Sequence, residues 1–321
     1  MAQHGIESAQ EDLKLASEQL LLRTAQAFYA VLTAQRDLEA QKHDVERLAE
    51  HRRLSDLRFK VGEVTEAVVL RADAELARAQ AELVAAENLV VVSKHELRTV
   101  ANLPEEFELQ APPLPQAPAD SVPQLIEAAA TRRDDLKRSR AQEQIAEEQI
   151  HIATSELFPT LSLEGKYFTR NQDPRSTFFV DQSWSVDAKL EFPLFEGGRR
   201  LAERAQARAR LAQAQLASSQ LRKTVSLEVQ RASLNVDAVS KVLQARQEQQ
   251  RFAKRNYEIV SSQFTFGLAT NIDALDANQA LIEAERDVNR ATYQQHLAIL
   301  ELQRAVGVFL RTALGQTQEN L

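Results

Sequence analysis

Residues 59–79 read FKVGEVTEAVVLRADAELARA, and residues 264–284 read FTFGLATNIDALDANQALIEA. The two stretches match without a gap at an offset of 205 residues. The matching pairs are Phe59/Phe264, Gly62/Gly267, Leu70/Leu275, Ala72/Ala277, Leu76/Leu281 and Ala79/Ala284, followed by Ala86/Ala291 and Leu97/Leu302. An internal repeat of this kind is interpreted first, because it sets the architecture of the whole chain. Each copy predicts a long helix, a Gly-containing tip and a returning helix.

Helix-breaking residues are nearly absent from the segments beside the tips. The chain has eight Gly and nine Pro, and none of them lies between Ile6 and Val61 or between Arg199 and Phe266. Read as helices, these segments run about 80 and about 100 Å, and such lengths are typical of coiled coils or helical repeats. A Rossmann sheet or a small β-sandwich needs far more frequent turns, so most of the chain cannot form one.

The returning helix of the first repeat, Thr65 to Ala101, has two apolar seams in heptad-like steps. The seams are offset by one residue, roughly 100° around the helix, so this helix offers two packing faces to two neighbours. Such a helix fits either a curved palisade or a bundle. The first seam is Leu76, Ala79, Leu83, Ala86, Val90, Ser93, Leu97 and Val100, and the second is Leu70, Ala74, Ala77, Ala81, Val84, Asn88 and Val91.

Composition excludes several classes of function. The chain carries 39 Lys and Arg against 46 Asp and Glu, a net charge of −7, which does not suggest a nucleic-acid partner. It has no Cys, and its six His show no metal-ligand spacing. No phosphate loop or nucleophile elbow is present. We therefore predict no catalytic, cofactor or metal site.

The β signal is confined to two stretches, Thr160 to Phe168 and about Ser183 to Phe192, with a loop at 170–182 between them. In the second stretch, Ser185, Asp187, Lys189 and Glu191 alternate with apolar residues. Such alternation suits a membrane strand with lipid on one side and water on the other. A surface hairpin on a helical bundle would also fit. The residues predicted to face lipid are Trp184, Val186, Ala188, Leu190 and Phe192.

The motifs that flank this hairpin resemble those of the TolC family of outer membrane factors. Phe158-Pro159-Thr160-Leu161-Ser162-Leu163 enters the first strand, and Phe192-Pro193-Leu194-Phe195-Glu196-Gly197-Gly198-Arg199 leaves the second and opens a very long helix. Together with the two tips and the duplication, the resemblance covers about Leu20 to Leu310.

The resemblance implies a mainly α fold. Very long antiparallel coiled-coil helices would form a periplasmic α-barrel, and the β-hairpin would contribute to a trimeric transmembrane β-barrel. The implied domains are 1–103 (first helical hairpin), 104–123 (Pro-rich linker), 124–158 (equatorial helices), 159–195 (transmembrane hairpin), 196–310 (second helical hairpin) and 311–321 (C-terminal tail).

The implied function is a passive exit duct for a tripartite efflux pump or a type I secretion system. The implied partners are two further copies of the chain, a periplasmic adaptor (membrane fusion) protein, an inner-membrane transporter of the RND, ABC or MFS type, and outer membrane lipid. The implied location is the outer membrane and periplasm of a Gram-negative cell. A soluble coiled-coil scaffold is the main alternative, and fractionation would separate the two. A periplasmic adaptor would need β-domains that flank the helical hairpin, and the sequence shows none. An enzyme would need a convergent polar site, which the sequence also does not show.

One departure from the family pattern concerns the start of the chain. The family has a β-hairpin in each half, but no strand pattern precedes Leu20, and Met1 is not followed by a secretory signal. We expect the first hairpin, its preceding helix and any signal peptide to lie upstream of this sequence.

The resemblance also assigns roles at the two tips. Asp273 and Asp276 match the acidic positions that ring the periplasmic entrance, although Asp273 could instead simply cap a helix with Thr270. The tips themselves match the adaptor-docking ends, although plain helical turns would look similar. The ion pair that latches some members is not expected, because Ala269 and Val68 stand at its two positions. The tip residues are Val61, Gly62, Glu63, Val64 and Thr65, and Phe266, Gly267, Leu268, Ala269 and Thr270.

Overall fold

Long helices dominate the computed structural model, which describes residues 2–169, 182–192, 194–313 and 315. Residues 170–181 of the predicted loop at 170–182, Pro193 and most of the predicted tail at 311–321 lie outside the described residues. Gln182, predicted in the loop, is the first residue of β2. The elements are α1 (Ala2–Lys60), α2 (Glu66–Ala101), α3 (Val122–Arg132), α4 (Asp134–Ser155), β1 (Thr160–Thr169), β2 (Gln182–Glu191), α5 (Arg199–Thr265), α6 (Asn271–Val306) and α7 (Phe309–Ala313).

The helix–tip–helix prediction for both repeats is confirmed. The 59 residues of α1 and the 67 residues of α5 each run without a break to a Gly-containing tip, at about 1.5 Å per residue. One boundary differs from the prediction, because α1 begins at Ala2 and so includes Gly5. A glycine inside a helix costs only about 1 kcal/mol, which a helix of this length tolerates.

The chain divides into two compact units, and the larger contains Leu13–Asp134 together with the chain from Lys223 onward. In this unit α1 and α6 contact each other and also their neighbours α2 and α5. Leu48 of α1, Ala79 of α2 and Leu275 of α6 form one buried cluster. Ala79 has no exposed surface, which shows how closely these three helices approach. A methyl side chain at this point permits close packing of the helices.

Buried polar side chains cross the interface between α1 and α6. Asn278 Nδ2 donates to Asp44 Oδ1 at 2.7 Å, and Arg47 Nε donates to Asn278 Oδ1 at 2.8 Å. Gln41 is fully buried, donates to the Ala79 carbonyl at 3.0 Å and accepts from Arg286. Since buried polar groups must be paired, these bonds favour one register between the helices.

The two seams of α2 have different fates within the chain. The first seam is buried or half-buried from Leu76 to Val100, and it packs on α1 and α6. Every residue of the second seam is exposed, from Leu70 at 61% through Val84 at 65% to Val91 at 52%. Only one of the two predicted packing faces of α2 is therefore covered by the chain itself.

The Pro-rich linker crosses the helices as an extended strap. Leu109 packs against Tyr29, Leu32 and Tyr293, and Gln303 Nε2 donates to the Gln116 carbonyl at 2.8 Å. The strap ends where α3 begins, and the Ser121 N–H donates to Gln124 Oε1 at 3.0 Å as part of a capping box. These contacts hold the linker against α1 and α6 within the larger unit.

The smaller unit contains the first turns of α1, up to Asp12, and Asp135–Arg222. Its two strands pair as an antiparallel hairpin, and Arg138 Nη1 contacts Asp12 Oδ1 at 2.8 Å. The last residue of β1 is Thr169, and the last of β2 is Glu191. Phe192, predicted as the end of the second strand, therefore follows it.

Replacing Ala79 tests the close approach of α1, α2 and α6. We expect Ala79→Leu to lower the free energy of unfolding by about 1–3 kcal/mol, because the added carbons have no space to enter. Guanidinium denaturation followed by circular dichroism measures this change. Gln80→Leu, at the exposed neighbouring position, should leave stability nearly unchanged. Equal stability of both variants and the parent would contradict the tight junction.

Candidate functional site

The second tip is a short turn that the sequence builds with one glycine. Gly267 has φ +76°, a backbone conformation that glycine adopts without a steric penalty. The Leu268 N–H donates to the Gln263 carbonyl at 2.8 Å, which closes the end of α5. α6 then begins at Asn271, so the tip is formed by Phe266–Thr270.

Asp273 caps the second tip. The Thr270 N–H donates to Asp273 Oδ2 at 2.9 Å, and the Asp273 N–H donates to Thr270 Oγ1 at 3.2 Å. Hydrogen bonds from the Thr270 hydroxyl and N–H lower the pKa of Asp273. The capping box considered from the sequence is thus present.

Asp276 lies one turn further along the same helix. Both aspartates are exposed, and both line a groove that also contains Asn256 and Gln263 of α5. The structure therefore brings the two predicted entrance residues to one side of the tip. A capped carboxylate remains charged at neutral pH, so the groove is acidic.

The first tip has similar backbone geometry. Gly62 has φ +78°, and the Glu63 N–H donates to the Arg58 carbonyl at 2.9 Å. Thr65 precedes α2 in an extended conformation but makes no side-chain cap hydrogen bond. Both tips present exposed apolar side chains, among them Val61, Phe266 and Leu268.

Sequence analysis did not find the contact between the two tips. Arg58 Nη1 donates to the Phe264 carbonyl at 3.1 Å, and its guanidinium lies 5.1 Å from the centre of the Phe264 ring. His51 Nε2 lies 2.6 Å from Asn271 Oδ1, and its ring stacks on Phe264 at 4.5 Å. The repeat offered one weak indication of this contact, because neither Arg58 nor His51 is repeated as the same residue type in the second copy.

The β-hairpin separates apolar from charged residues. Leu190, Ala188 and Trp184 lie opposite Leu161, Leu163 and Tyr167, and Val186 lies opposite Gly165. On the other face Ser185, Asp187 and Lys189 lie opposite Lys166, Glu164 and Ser162. Both faces are largely exposed. Whether the apolar face contacts lipid stays a prediction.

Phe192 lies just after β2, and the guanidinium of Arg200 lies 5.9 Å from its ring centre. Glu196 receives hydrogen bonds from Arg199 at 3.0 Å and from Arg200 at 2.7 Å. These contacts fix the turn at which the hairpin motif passes into α5. The aromatic side chain thereby stays near the base of the hairpin.

The described ranges contain no cluster of His, Asp or Glu that could hold a metal ion. Within the same ranges, no helix combines the length and the apolar character needed to cross a bilayer.

Comparison with known proteins identifies relatives over nearly the whole chain. A family model described as outer membrane efflux protein matches residues 1–103 and 125–308. The outer membrane protein TolC of Vibrio cholerae is 27% identical over 308 residues, which cover 93% of this chain and 70% of that protein. The pyoverdine export outer membrane protein OpmQ of Pseudomonas aeruginosa is 25% identical over 321 residues, which cover 98% of this chain and 65% of that protein.

Solved structures agree on the fold. The chain superposes on CusC, whose structures were described in terms of transmembrane channel formation, with a TM-score of 0.83. The match covers 95% of this chain and 72% of CusC at 16% identity, a level that shows the fold alone. The chain spans about two thirds of the length of the two curated relatives.

The family model matches far more than half of the chain, in both helical repeats and across the hairpin. The chain therefore belongs to the outer membrane efflux protein family and is a TolC-like outer membrane factor.

Proposed function

We propose that this chain forms part of an outer membrane exit duct, through which a tripartite efflux pump or a type I secretion system passively exports small molecules or proteins. The observation that carries this proposal is the hairpin, whose apolar and charged faces are both exposed and lie on opposite sides. A hairpin that covered a soluble helical bundle would bury its apolar face. The proposed location is the outer membrane and periplasm.

Members of this family are channel proteins rather than enzymes. We propose that this chain likewise transports without catalysis and uses no cofactor. Its proposed partners are a periplasmic adaptor protein, an inner-membrane transporter and outer membrane lipid.

Assembly as a homotrimer would cover the apolar faces that one chain leaves exposed. The second seam of α2 is uncovered along its whole length, from Leu70 to Val91. On α5, Leu227, Leu234, Val242, Phe252 and Ile259 are also exposed. Packing α2 of one protomer on α5 of the next joins two different faces, and such head-to-tail contacts close into a ring when the rotation allows.

The tips are the proposed docking ends for the adaptor. Leu268 is 80% exposed and Val61 71% exposed. Exposed apolar side chains beside polar neighbours are typical of protein contact sites. The single copy leaves these residues available to a helical partner.

Asp273 and Asp276 are the proposed pore entrance. In a trimer, two carboxylates from each protomer would surround one axis, attract cations and repel anions. Asp273 performs its capping role at the same time, because the cap uses one oxygen and leaves the residue exposed.

The proposed lipid face of the hairpin can be tested by labelling. We expect a cysteine at Val186 to resist an aqueous thiol reagent in cells, and a cysteine at Asp187 to react, because a one-residue shift moves a side chain to the opposite face. Mass spectrometry of the isolated outer membrane measures both. The chain is otherwise free of Cys, so each reaction reports one site. Equal reaction at both positions, or recovery of the chain in the soluble fraction, would contradict the proposal.

The proposed trimer can be tested on α2. We expect Val84→Asp to prevent trimer formation, because burying an unpaired charge costs several kcal/mol at each interface. Size-exclusion chromatography with light scattering in detergent measures the oligomer. Leu89→Asp changes another exposed apolar residue of the same helix, 52% exposed against 65% for Val84, that lies outside both seams. Trimers formed equally by both variants would show that the seam lies elsewhere.

The entrance assignment can be tested by removing its charge. We expect Asp273→Asn with Asp276→Asn to reduce cation selectivity and block by multivalent cations severalfold, since the attracting carboxylates are gone. Single-channel conductance in planar bilayers measures both properties. Asp237→Asn, an exposed change on α5 far from the tip, is the control. Unchanged selectivity and block in the double variant would show that these aspartates do not form the pore entrance and act only at the start of the helix.

A further inference from the structure

A histidine joins the two tips inside the larger unit. His51 of α1 contacts α5 through the Phe264 ring and α6 through Asn271. An amide oxygen only accepts hydrogen bonds, so the imidazole Nε2–H donates to Asn271 Oδ1. Phe264 is almost fully buried, at 2% exposure, although its repeat counterpart Phe59 is 41% exposed. The first repeat is therefore held to both helices of the second repeat at this point, which we name the tip junction: His51, Arg58, Phe264 and Asn271.

The surroundings of His51 offer little to stabilise a positive charge. Beside it lies a cavity of about 30 Å³, enough for roughly one water molecule. From α1, the charged groups that line this cavity are Arg47 and Glu50. From α5 the titratable group is Tyr257, and α6 contributes the neutral Asn278. Arg58, of α1, adds a second cation at the tip junction.

Glu50, the carboxylate among the residues named above, is already bound to an arginine. Glu50 accepts from Arg53 Nε and Nη2, both at 2.7 Å. Arg47 is itself held by Glu285 at 3.4 Å and by Asp44 at 3.7 Å. Among the described residues that line the cavity, the charged neighbours of an imidazolium at His51 would thus be Arg47, which is a cation, and Glu50, which is already bound to Arg53.

We propose that protonation of His51 loosens the tip junction, so that the first-repeat and second-repeat tips are joined at neutral pH and separate in acid. A neutral imidazole can stack on Phe264 and donate one hydrogen bond within the junction. An imidazolium has two N–H donors and a charge to hydrate, and water reaches it fully only when α1 moves away from α5 and α6. Separation of the tips therefore allows water to hydrate the imidazolium and to accept its hydrogen bonds.

The direction of the effect follows from linkage. Burial lowers the pKa of His51 from its ordinary 6.5, and the Asn271 hydrogen bond opposes that shift without cancelling it. A base whose pKa is lowered in the joined state stabilises that state fully above pH 6.5, and the stabilisation is lost as the pH falls below it. One proton per junction limits the change in the ratio of separated to joined tips to about tenfold per pH unit.

The separation can be measured directly with spin labels. Cysteines placed at Val61 and Leu268, one on each tip, would carry the labels in the full-length chain, and mixing with excess unlabelled protein would isolate distances within one protomer. We expect pulsed electron spin resonance to give one short distance at pH 8 and a second, longer population at pH 5. His51→Gln keeps an N–H donor but cannot take up a proton, so its distances should not change with pH.

Two further variants make the outcome decisive. His43→Gln removes an exposed histidine of the same helix and should respond to pH like the parent. Asn271→Asp places a carboxylate against the imidazole and should keep the tips joined at pH 5, because the imidazolium then has a partner. Identical distances in the parent at both pH values, or an unchanged response in His51→Gln, would overturn the proposal.

The consequence for transport rests on the proposed function, since acid would then widen the entrance of a duct. The distance measurement does not rest on it. Tips that separate in a protein that forms no channel would support the His51 junction and remove the duct. A working channel whose tip distances do not change with pH would support the duct and contradict the His51 junction.

Discussion

A helix of about 60 residues that lacks a breaker cannot fold back on itself, so its apolar faces must be covered by other helices that lie alongside it. This constraint governs the structure. α1 and α5 each reach a tip before the chain can reverse, and the returning helices α2 and α6 then run beside them. Close contact depends on small side chains, and Ala79 and Ala284, which match in the repeat, are both fully buried.

The two repeats share a sequence pattern but have different environments. Leu275 in α6 is 7% exposed, while its counterpart Leu70 in α2 is 61% exposed. α6 is surrounded by α1, α2 and α5, whereas α2 is covered on one face only. The same heptad pattern therefore builds an internal helix in one repeat and a helix with a free seam in the other. The proposed trimer is the arrangement that would make the two equivalent.

Apolar seams alone would allow two helices to slide along each other. Hydrogen bonds between polar side chains fix one register. The bonds among Asp44, Arg47 and Asn278 are satisfied in one register of α1 against α6. His51 and Asn271 perform a similar role at the tip, with the difference that the imidazole of His51 can take up a proton in acid. A contact that specifies the register at neutral pH can thus become unfavourable in acid.

Sequence alone determined the elements of this protein, because helix breakers, capping residues and the alternation of the hairpin are local signals. The two long hairpins, the turns at Gly62 and Gly267, the cap between Thr270 and Asp273 and the two faces of the hairpin all followed from residues close together in the chain. Tertiary structure decided which seam of α2 is covered and brought His51 onto Phe264 and Asn271, more than 200 residues away. Those outcomes depend on how α1, α2, α5 and α6 pack side by side, and the heptad pattern that makes each face apolar does not specify which neighbour will cover it.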